Sequence, residues 1–235
     1  MHRRRSPIGS NHAALRYVRC AMAICLALAL VPEAGWARAV VADAAAPSDA
    51  ASAITHPAVE TIVLMRHGEK PMEGFGQLNC QGLNRSLALP KVLAKRYGRP
   101  DFIIAPNPAV LKSDLGRNYA YVRPLATIEP TAIANGMPVD VSLGYEDSDA
   151  LVNRLLAPEM AGKTVFVAWE HRIAEQVAKA VLQRLGASKA QVPRWASSDY
   201  DSLYVIRVTG DAGQPDRVSF THEHEQLNGQ SVVCR

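Results

Sequence analysis

From residue 60 onward, short apolar runs alternate with longer stretches in which apolar residues recur every three or four positions. The short runs are rich in β-branched and aromatic residues, and they predict five strands, at 61–65, 102–105, 164–169, 203–208 and 218–222. The first three runs are apolar almost throughout, which is typical of parallel strands that are buried on both faces. The pattern therefore favours a sheet with buried central strands.

Four helices are predicted in the intervals between strands, at 81–97, 123–134, 148–156 and 173–185. Asn79 is placed to cap the first helix and Gly98 to end it, and Pro90 is expected to kink it. The sequence contains no visible internal repeat or second domain. This order of elements predicts a three-layer α/β sandwich, in which helices cover both faces of a central, mostly parallel sheet and the strand ends form a crevice.

The composition, with 48% hydrophobic and 20% charged residues over 235 positions, predicts a folded protein. Residues 1–39 have an arginine-rich start, an apolar run at 20–31 and an Ala-Arg-Ala site at 37–39, which together are typical of a cleaved export signal. The apolar run is too short to span a bilayer as a stable helix. The alternative to a cleaved signal is that residues 1–39 remain attached as an uncleaved helical anchor. We therefore expect a periplasmic or secreted protein with a signal peptide at 1–39, a flexible lead-in at 40–58 and one domain at 59–235.

Cleavage after Ala39 removes six arginines and one glutamate, which changes the formal charge from +4 (26 minus 22) to −1 (20 minus 21). Nothing in the mature chain then favours nucleic acid or an anionic membrane surface as a partner, and no membrane anchor is expected. Cys80 and Cys234 are the cysteines that remain, and in an oxidising compartment they predict a disulfide bridge, with two free thiols as the alternative. The sequence does not indicate an oligomeric state.

Candidate chemistry lies where the predicted strands end. The sequence R-H-G-E at 66–69 directly follows the first strand, so an arginine and a histidine emerge together beside a glycine that lets a ligand approach the backbone. This arrangement predicts an anion site that contains a nucleophile. Two segments support it, because R-P-L-A-T at 123–127 opens a helix and W-E-H at 169–171 ends the third strand.

Three motifs follow one another between about Thr61 and Val208: L-M-R-H-G-E, then R-x-x-x-T-x-x-x-x-A, then a strand-end histidine. This ordered set resembles the histidine phosphatase superfamily, also called phosphoglycerate mutase-like. The resemblance implies that His67 is the nucleophile, which takes a phosphoryl group on a ring nitrogen. It also implies that Arg66, Arg123 and His171 bind the phosphoryl oxygens.

The proposed chemistry calls for these residue types. A phosphoryl group in transfer spreads negative charge over three equatorial oxygens, and arginine supplies a planar donor fork that stays charged. A neutral imidazole attacks phosphorus without a metal when its other nitrogen is held by a hydrogen bond, so we expect neither metal nor cofactor. The structural alternatives are a buried, hydrogen-bonded His67, a surface ion pair for Arg123 and a core position for His171.

The general acid departs from the superfamily pattern. A glutamate in a loop some two dozen residues after the second arginine often has this role, and Glu146 stands at the matching place without the fuller motif around it. Glu170 is the alternative donor, and a third alternative is that no dedicated acid exists. The ordinary role of Glu146 would be that of an acidic residue leading into the helix at 148–156.

Other polar residues near these motifs are candidate substrate contacts. Gly68, Glu69 and Glu170 adjoin the two histidines, and Arg117 in S-D-L-G-R is either a decoy for the second arginine or an accessory ligand. His222 and His224 lie on one face of the last strand, where they form either a metal-binding edge or a solvated strand end.

The sequence therefore predicts an exported, metal-independent phosphatase that hydrolyses a small phosphomonoester through a phosphohistidine on His67. A phosphomutase would use the same residues. A binding module that holds a phosphorylated ligand without turnover is the alternative from a different functional class.

Overall fold

The structure is a computed structural model that describes residues 58–211 and 214–234. The strands are β1 (Val59–Arg66), β2 (Phe102–Ile104), β3 (Leu111–Asp114), β4 (Arg117–Ala120), β5 (Thr164–Trp169), β6 (Ser202–Asp211) and β7 (Gln214–His224). The helices are α1 (Cys80–Tyr97), α2 (Arg123–Asn135), α3 (Ser148–Leu155) and α4 (His171–Arg184). No helix in this part of the chain is long and apolar enough to cross a membrane.

Five strands form one mixed sheet in the order β2, β5, β1, β6, β7. Both β2 and β1 pair with β5 in parallel, whereas β6 pairs antiparallel with β1 and β7 pairs antiparallel with β6. The carboxyl ends of β2, β5 and β1 therefore lie at the same edge of the sheet. A crevice at such an edge is where open α/β sheets bind ligands.

Strand β1 contributes to the core on both of its faces. Ile62 and Leu64 pack with residues of α3 and α4, and the alternate residues Val63 and Met65 pack with residues of α1 and α2. This alternation follows from the two-residue period of a strand. It confirms the predicted α/β sandwich, with helices on both faces of the sheet and central strands buried on both sides.

The four helices and five sheet strands lie close to their predicted positions. Asn79 caps α1 by accepting a hydrogen bond from the backbone N–H of Gly82, at 2.9 Å. Gly98 ends α1 with φ of 72°, a left-handed conformation that glycine adopts without a Cβ clash, and its N–H donates to the carbonyl of Ala94. Helix α1 continues through Pro90.

The hairpin of β3 and β4 was not predicted. Each of its strands has four residues, largely exposed, so neither has the apolar alternation that indicates a half-buried strand. Its two-residue turn has positive φ at Leu115 and Gly116, which favours a hairpin, but leucine at the first turn position hides the signal.

The predicted signal peptide at 1–39 and nearly all of the predicted lead-in at 40–58 lie outside the described residues. The described residues of the predicted domain at 59–235 include a disulfide between Cys80 and Cys234, which lie 154 residues apart in sequence. Two hydrogen bonds reinforce this attachment, since the side-chain amide of Asn84 donates to the carbonyls of Ser231 and Val233 at 2.8 and 2.9 Å. The C-terminal tail is thereby joined to the first turns of α1.

The disulfide yields a stability prediction. Closing a loop of this length restricts the unfolded chain, so the oxidised protein should be more stable than a Cys80→Ser/Cys234→Ser variant by up to about 4 to 5 kcal/mol in the chain-entropy model. Denaturant unfolding of the two proteins measures the difference. Thiol titration of the unreduced protein in denaturant should detect no free thiol, and detection of two would contradict the bridge.

Candidate active site

The pairing of β1 with β5 brings two of the predicted site segments together. Arg66 at the end of β1 lies opposite Trp169 at the end of β5. The pairing extends one residue further, because the backbone N–H of His67 donates to the carbonyl of Trp169 at 3.0 Å. His67 therefore lies beside the residues that begin α4, which include His171.

His67 is a buried imidazole with one nitrogen already engaged. Its side chain Nδ1 lies 2.8 Å from the carbonyl oxygen of Gly68, and since a carbonyl only accepts, Nδ1 carries the proton. Burial lowers the pKa of His67 well below 6.5, and the positive charges of Arg123 and Arg66 lower it further. The ring is therefore neutral near pH 7, and Nε2 has a free lone pair.

Arg66 is held from the side of the loop that precedes β6. Its Nη1 donates to the carbonyls of Ser197 and Asp199 at 2.7 and 2.8 Å. Its guanidinium carbon lies 3.7 Å from the centre of the Tyr200 ring, which is a close cation–π contact. These contacts fix the orientation of the guanidinium and leave Nε without a hydrogen-bond partner in the described residues.

Arg123 is buried and ion-paired. It opens α2 with only 2% of its surface exposed, and its Nη1 donates to Oδ2 of Asp114 in β3 at 2.6 Å. Burial opposes ionisation of Asp114, but the hydrogen bond and charge of Arg123 lower the pKa of Asp114 below its ordinary value. The pair is thus internal, which differs from the surface ion pair considered as the alternative role of Arg123.

Two tyrosine rings connect the arginines to the imidazole. The Tyr121 ring centre lies 6.1 Å from that of His67, in an edge-to-face arrangement, and 4.8 Å from the Arg123 guanidinium carbon. The Tyr200 ring centre lies 6.2 Å from that of His67. The sequence analysis missed both tyrosines, although the position of Tyr121 two residues before Arg123 offers a local signal.

Several buried polar atoms around His67 have no hydrogen-bond partner in the described part of the chain. They are Nε of Arg66, Nε of Arg123, the hydroxyl of Tyr121 and Nδ1 of His171. Buried donors in native proteins are nearly always satisfied, so a group of them beside one histidine calls for an explanation. An anion with several oxygens, such as a phosphoryl group, would accept from the two arginines and the tyrosine.

Gly68 has a packing role that differs from the predicted contact with a ligand. A Cβ at this position would lie 2.9 Å from the carbonyl oxygen of Gly82 in α1, so the close approach here is between two backbone segments. The N–H of Gly68 donates to the hydroxyl of Thr127 at 2.9 Å, and that hydroxyl donates to the carbonyl of Arg123. The glycine thus holds the loop after β1 against both α1 and α2.

Glu69 binds a buried arginine. Both of its carboxylate oxygens accept from Arg85, which is fully buried and also contacts Asp201 and Glu225 at 3.1 and 2.7 Å. The predicted substrate contact of Glu69 is replaced by this ionic cluster, because a buried guanidinium requires compensating charge. The cluster joins the loop after β1 to the residues that precede β6 and follow β7, which lie together at the open end of that hairpin.

Glu170 is occupied as the cap of α4. Its Oε2 accepts from the N–H groups of Arg172 and Ile173, and its Oε1 lies 2.7 Å from Nδ1 of His171, outside hydrogen-bond geometry. Burial would raise the pKa of Glu170, but the contact with His171 and the backbone hydrogen bonds lower it to about 2. An ionised Glu170 is suited to orienting His171 and poorly suited to donating a proton.

Glu146 lies in an exposed loop, next to Tyr145, whose ring packs against that of Tyr121. The preceding Tyr145 is held by its carbonyl, which accepts from the indole N–H of Trp169 at 2.8 Å, and its ring centre lies 5.4 Å from that of Tyr121. The ammonium of Lys112 in β3 lies 4.1 Å from the Tyr145 ring centre. The sequence analysis also missed Lys112, which adds a cation on this side.

The remaining candidates lie in other surroundings. Arg117 is exposed on β4 and lines a cavity of about 290 Å³ with Phe75 and Tyr119. Nε2 of His222 lies 2.7 Å from the hydroxyl of Ser202, and the His222 and His224 rings are 4.8 Å apart. Within residues 58–211 and 214–234, no group of three or more His, Cys, Asp or Glu side chains is arranged to hold a metal ion.

Several solved structures are similar to this chain. A mycobacterial glucosyl-3-phosphoglycerate phosphatase has 14% identity and a TM-score of 0.46, over 69% of this chain and 97% of that chain. The protein histidine phosphatase SixA complexed with tungstate has 15% identity and a TM-score of 0.46, over 70% and 97%. A phosphoglycerate mutase from Plasmodium falciparum has 14% identity and a TM-score of 0.45, over 74% and 98%.

These proteins are members of the superfamily that the motifs resemble. No protein-family model matches the chain, and no curated protein matches its sequence. At these identities and TM-scores, the structural similarities carry no argument about the activity, the substrate or the site residues of this chain. The chemistry of the site must therefore be inferred from its own residues.

The low pKa of His67 can be tested directly. In an NMR titration of the histidine ring signals, the signal that a His67→Gln variant lacks should titrate below pH 6.5, the ordinary value. An Arg123→Gln variant should move this midpoint upward, because one of the positive charges that disfavour the imidazolium is removed. An Arg117→Gln control, with an exposed arginine, should leave the midpoint unchanged, and a His67 midpoint at or above 6.5 would contradict the account.

Proposed function

We propose that this chain is a phosphatase that hydrolyses phosphomonoesters through a phosphohistidine intermediate on Nε2 of His67. The observation that carries the proposal is the state of His67: a buried, neutral imidazole whose Nδ1–H is fixed on the Gly68 carbonyl. The adjacent arginines each have a buried Nε without a partner in the described residues. A nucleophile and donors for an anion are thereby combined in one site.

The proposed reaction proceeds in two displacements. In the first, the lone pair of His67 Nε2 forms a bond to phosphorus, the bond from phosphorus to the alcohol oxygen breaks, and that oxygen takes up a proton. Arg66 and Arg123 stabilise the charge on the equatorial oxygens during this step. In the second, water attacks the phosphohistidine, the phosphorus–nitrogen bond breaks, inorganic phosphate leaves and His67 returns to its neutral form.

We propose that no divalent metal takes part. Two buried guanidinium groups already supply the positive charge that a phosphoryl transfer requires, and a neutral imidazole is a competent nucleophile without a metal-bound water. The carboxylates close to the arginines already have hydrogen-bond partners. Asp114 accepts from Arg123, and Glu170 accepts from the first turn of α4. The positive charge of the site would also repel a free cation.

We also propose that the protein is exported and acts outside the cytoplasm. The N-terminal composition of residues 1–39 supports export, and the disulfide between Cys80 and Cys234 is of a kind that persists in oxidising compartments. Thiol titration of protein recovered from the extracytoplasmic fraction tests this proposal, and it should detect no free thiol. The recovered chain should begin at Val40.

The proposed function is tested by phosphate release from 4-nitrophenyl phosphate. The wild-type protein should release phosphate at the same rate with and without EDTA, and His67→Ala should reduce the rate by roughly 10³-fold or more, because the nucleophile is lost. His224→Ala, in which an exposed histidine of β7 is changed, serves as the matched control and should retain the wild-type rate.

Other outcomes of this assay would favour a different nucleophile, mechanism or function. Appreciable turnover by His67→Ala would mean that the nucleophile is another group. Loss of activity in EDTA that a divalent ion restores would overturn the metal-independent mechanism. Phosphoryl transfer to an added phosphorylated acceptor without phosphate release would indicate a mutase, and phosphate binding without turnover would indicate a binding module.

We propose Glu146 as the proton donor, because the Glu170 carboxylate is already engaged by the first turn of α4 and by His171, whereas Glu146 is exposed in the loop beside Tyr145. An alkoxide is a poor leaving group and needs the proton, whereas a nitrophenolate hardly needs it. Glu146→Gln should therefore slow hydrolysis of an alkyl phosphate by roughly 10² to 10⁴ while affecting 4-nitrophenyl phosphate much less.

Two variants complete the proton-donor test. Glu170→Gln should slow both substrates to a similar extent, because it weakens the cap of α4 and the contact that orients His171. Glu159→Gln, at an exposed glutamate paired with Arg154, is the control and should leave both rates unchanged. A leaving-group dependence confined to Glu170→Gln would transfer the role to Glu170, and its absence from every variant would mean that there is no dedicated acid.

A further inference from the structure

A cavity of about 520 Å³ opens beside His171. The proposed mechanism, including its proton donor, gives this cavity no role. The first turns of α4 line one side of it, and the loop at 194–197, which precedes β6, lines the other. Its volume is in the range of sites that hold small organic molecules. Its lining combines polar and apolar surface and includes two arginines.

Two of the residues that line the cavity adjoin the phosphoryl site. His171 lines it and is the first residue of α4, which follows the end of β5 where the His67 backbone is hydrogen-bonded. Ser197 lines it as well, and the carbonyl of Ser197 accepts the hydrogen bond from Nη1 of Arg66 at 2.7 Å. A phosphorylated compound bound to Arg66 would therefore have this cavity as its neighbour, available for the part of the molecule that is not the phosphoryl group.

The side chains that line the cavity carry a net positive charge, because its two arginines outnumber its one glutamate. The side chain of Arg172 is 78% exposed and forms an ion pair with the Glu170 carboxylate, at 3.6 Å from Nε. The exposed Arg194 lies close enough to Glu175 for its charge to help lower the pKa of that carboxyl. Glu175 also lines the cavity, but one of its oxygens accepts from the ammonium of Lys179 and the other from the N–H of Trp195 at 2.8 Å. Glu175 is thus bound within the wall by Lys179 and Trp195, whereas the side chains of Arg172 and Arg194 are exposed and accessible to a ligand.

We propose that this cavity is a second anion subsite, in which Arg172 and Arg194 hold a carboxylate or a further phosphate on the alcohol portion of the substrate. The inference rests on the proposed function, because the subsite defines which phosphomonoesters the enzyme prefers. Arginine suits this role, since its planar fork matches carboxylate and phosphate oxygens and remains charged. The substrate class is therefore phosphomonoesters that carry a second anionic group.

A pair of aryl phosphates that differ in charge tests the subsite. The wild-type protein should prefer 4-carboxyphenyl phosphate over 4-carbamoylphenyl phosphate by about 5- to 20-fold in kcat/KM, since an exposed ion pair contributes up to roughly fivefold and two arginines act together. The preference should lie mostly in KM and should weaken with added salt. A second comparison, of butane-1,4-diol bisphosphate with butyl phosphate, distinguishes a phosphate ligand from a carboxylate one.

The double variant Arg172→Ala/Arg194→Ala should reduce the preference for the anionic partner of each pair to about one. Arg184→Ala is the matched control, because Arg184 is an exposed arginine at the far end of the same helix and should leave the preference unchanged. A wild-type preference near one for both pairs would overturn the proposal, as would a preference that the double variant retains.

Equilibrium binding separates this inference from the proposed function. Calorimetry with 4-carboxybenzylphosphonate and 4-carbamoylbenzylphosphonate measures the same preference without turnover. If the wild-type protein hydrolyses neither aryl phosphate but binds the carboxylate compound more tightly, and the double variant does not, the subsite is supported and the phosphatase proposal fails. If both aryl phosphates are hydrolysed at equal rates and both phosphonates bind equally, the phosphatase proposal stands and the subsite is wrong.

Discussion

The parallel pairing of β1 with β5 is the constraint on which the site depends. Its register sets Arg66 opposite Trp169 and extends to a hydrogen bond from His67, so the residue after β1 and the first residue of α4 share one edge of the sheet. A shift by one residue would turn Arg66 and every apolar side chain of β1 to the opposite face. The buried core on both faces of β1 therefore fixes the position of His67, the proposed nucleophile.

The second requirement is that the positive charges of Arg66 and Arg123 be buried beside the neutral His67. Burial of a guanidinium is costly unless it is compensated, and the two arginines are compensated differently: Arg66 by backbone carbonyls and the Tyr200 ring, Arg123 by Asp114. Both arrangements hold the Nη1 end of the side chain, and in neither does Nε have a hydrogen-bond partner among the residues that the structure describes. The same charges lower the pKa of His67, so the groups suited to binding an anion also keep the proposed nucleophile unprotonated.

Sequence reasoning was successful where the signal was local or periodic. Strand ends, helix caps and the Arg66-His67 pair follow from short stretches, and the α/β sandwich follows from the order of buried strands and helices. It was unsuccessful where the partner is distant in sequence and the local pattern is weak. Asp114 lies in a hairpin without apolar alternation, and Arg85 binds Glu69 through a contact that no spacing reveals, so Glu69 was assigned to the substrate.

Direct detection of the covalent intermediate tests the central claim most closely. Wild-type protein mixed with a ³²P-labelled phosphomonoester and quenched within milliseconds in alkali should carry label that is stable to base and labile to acid, as a phosphoramidate is, and peptide mass spectrometry should locate it on His67. The same experiment on His67→Ala should give no label. Label that a parallel acid quench preserves and alkali removes, as expected of an aspartate or serine, or turnover of the substrate with no labelled protein at any quench time, would contradict the account.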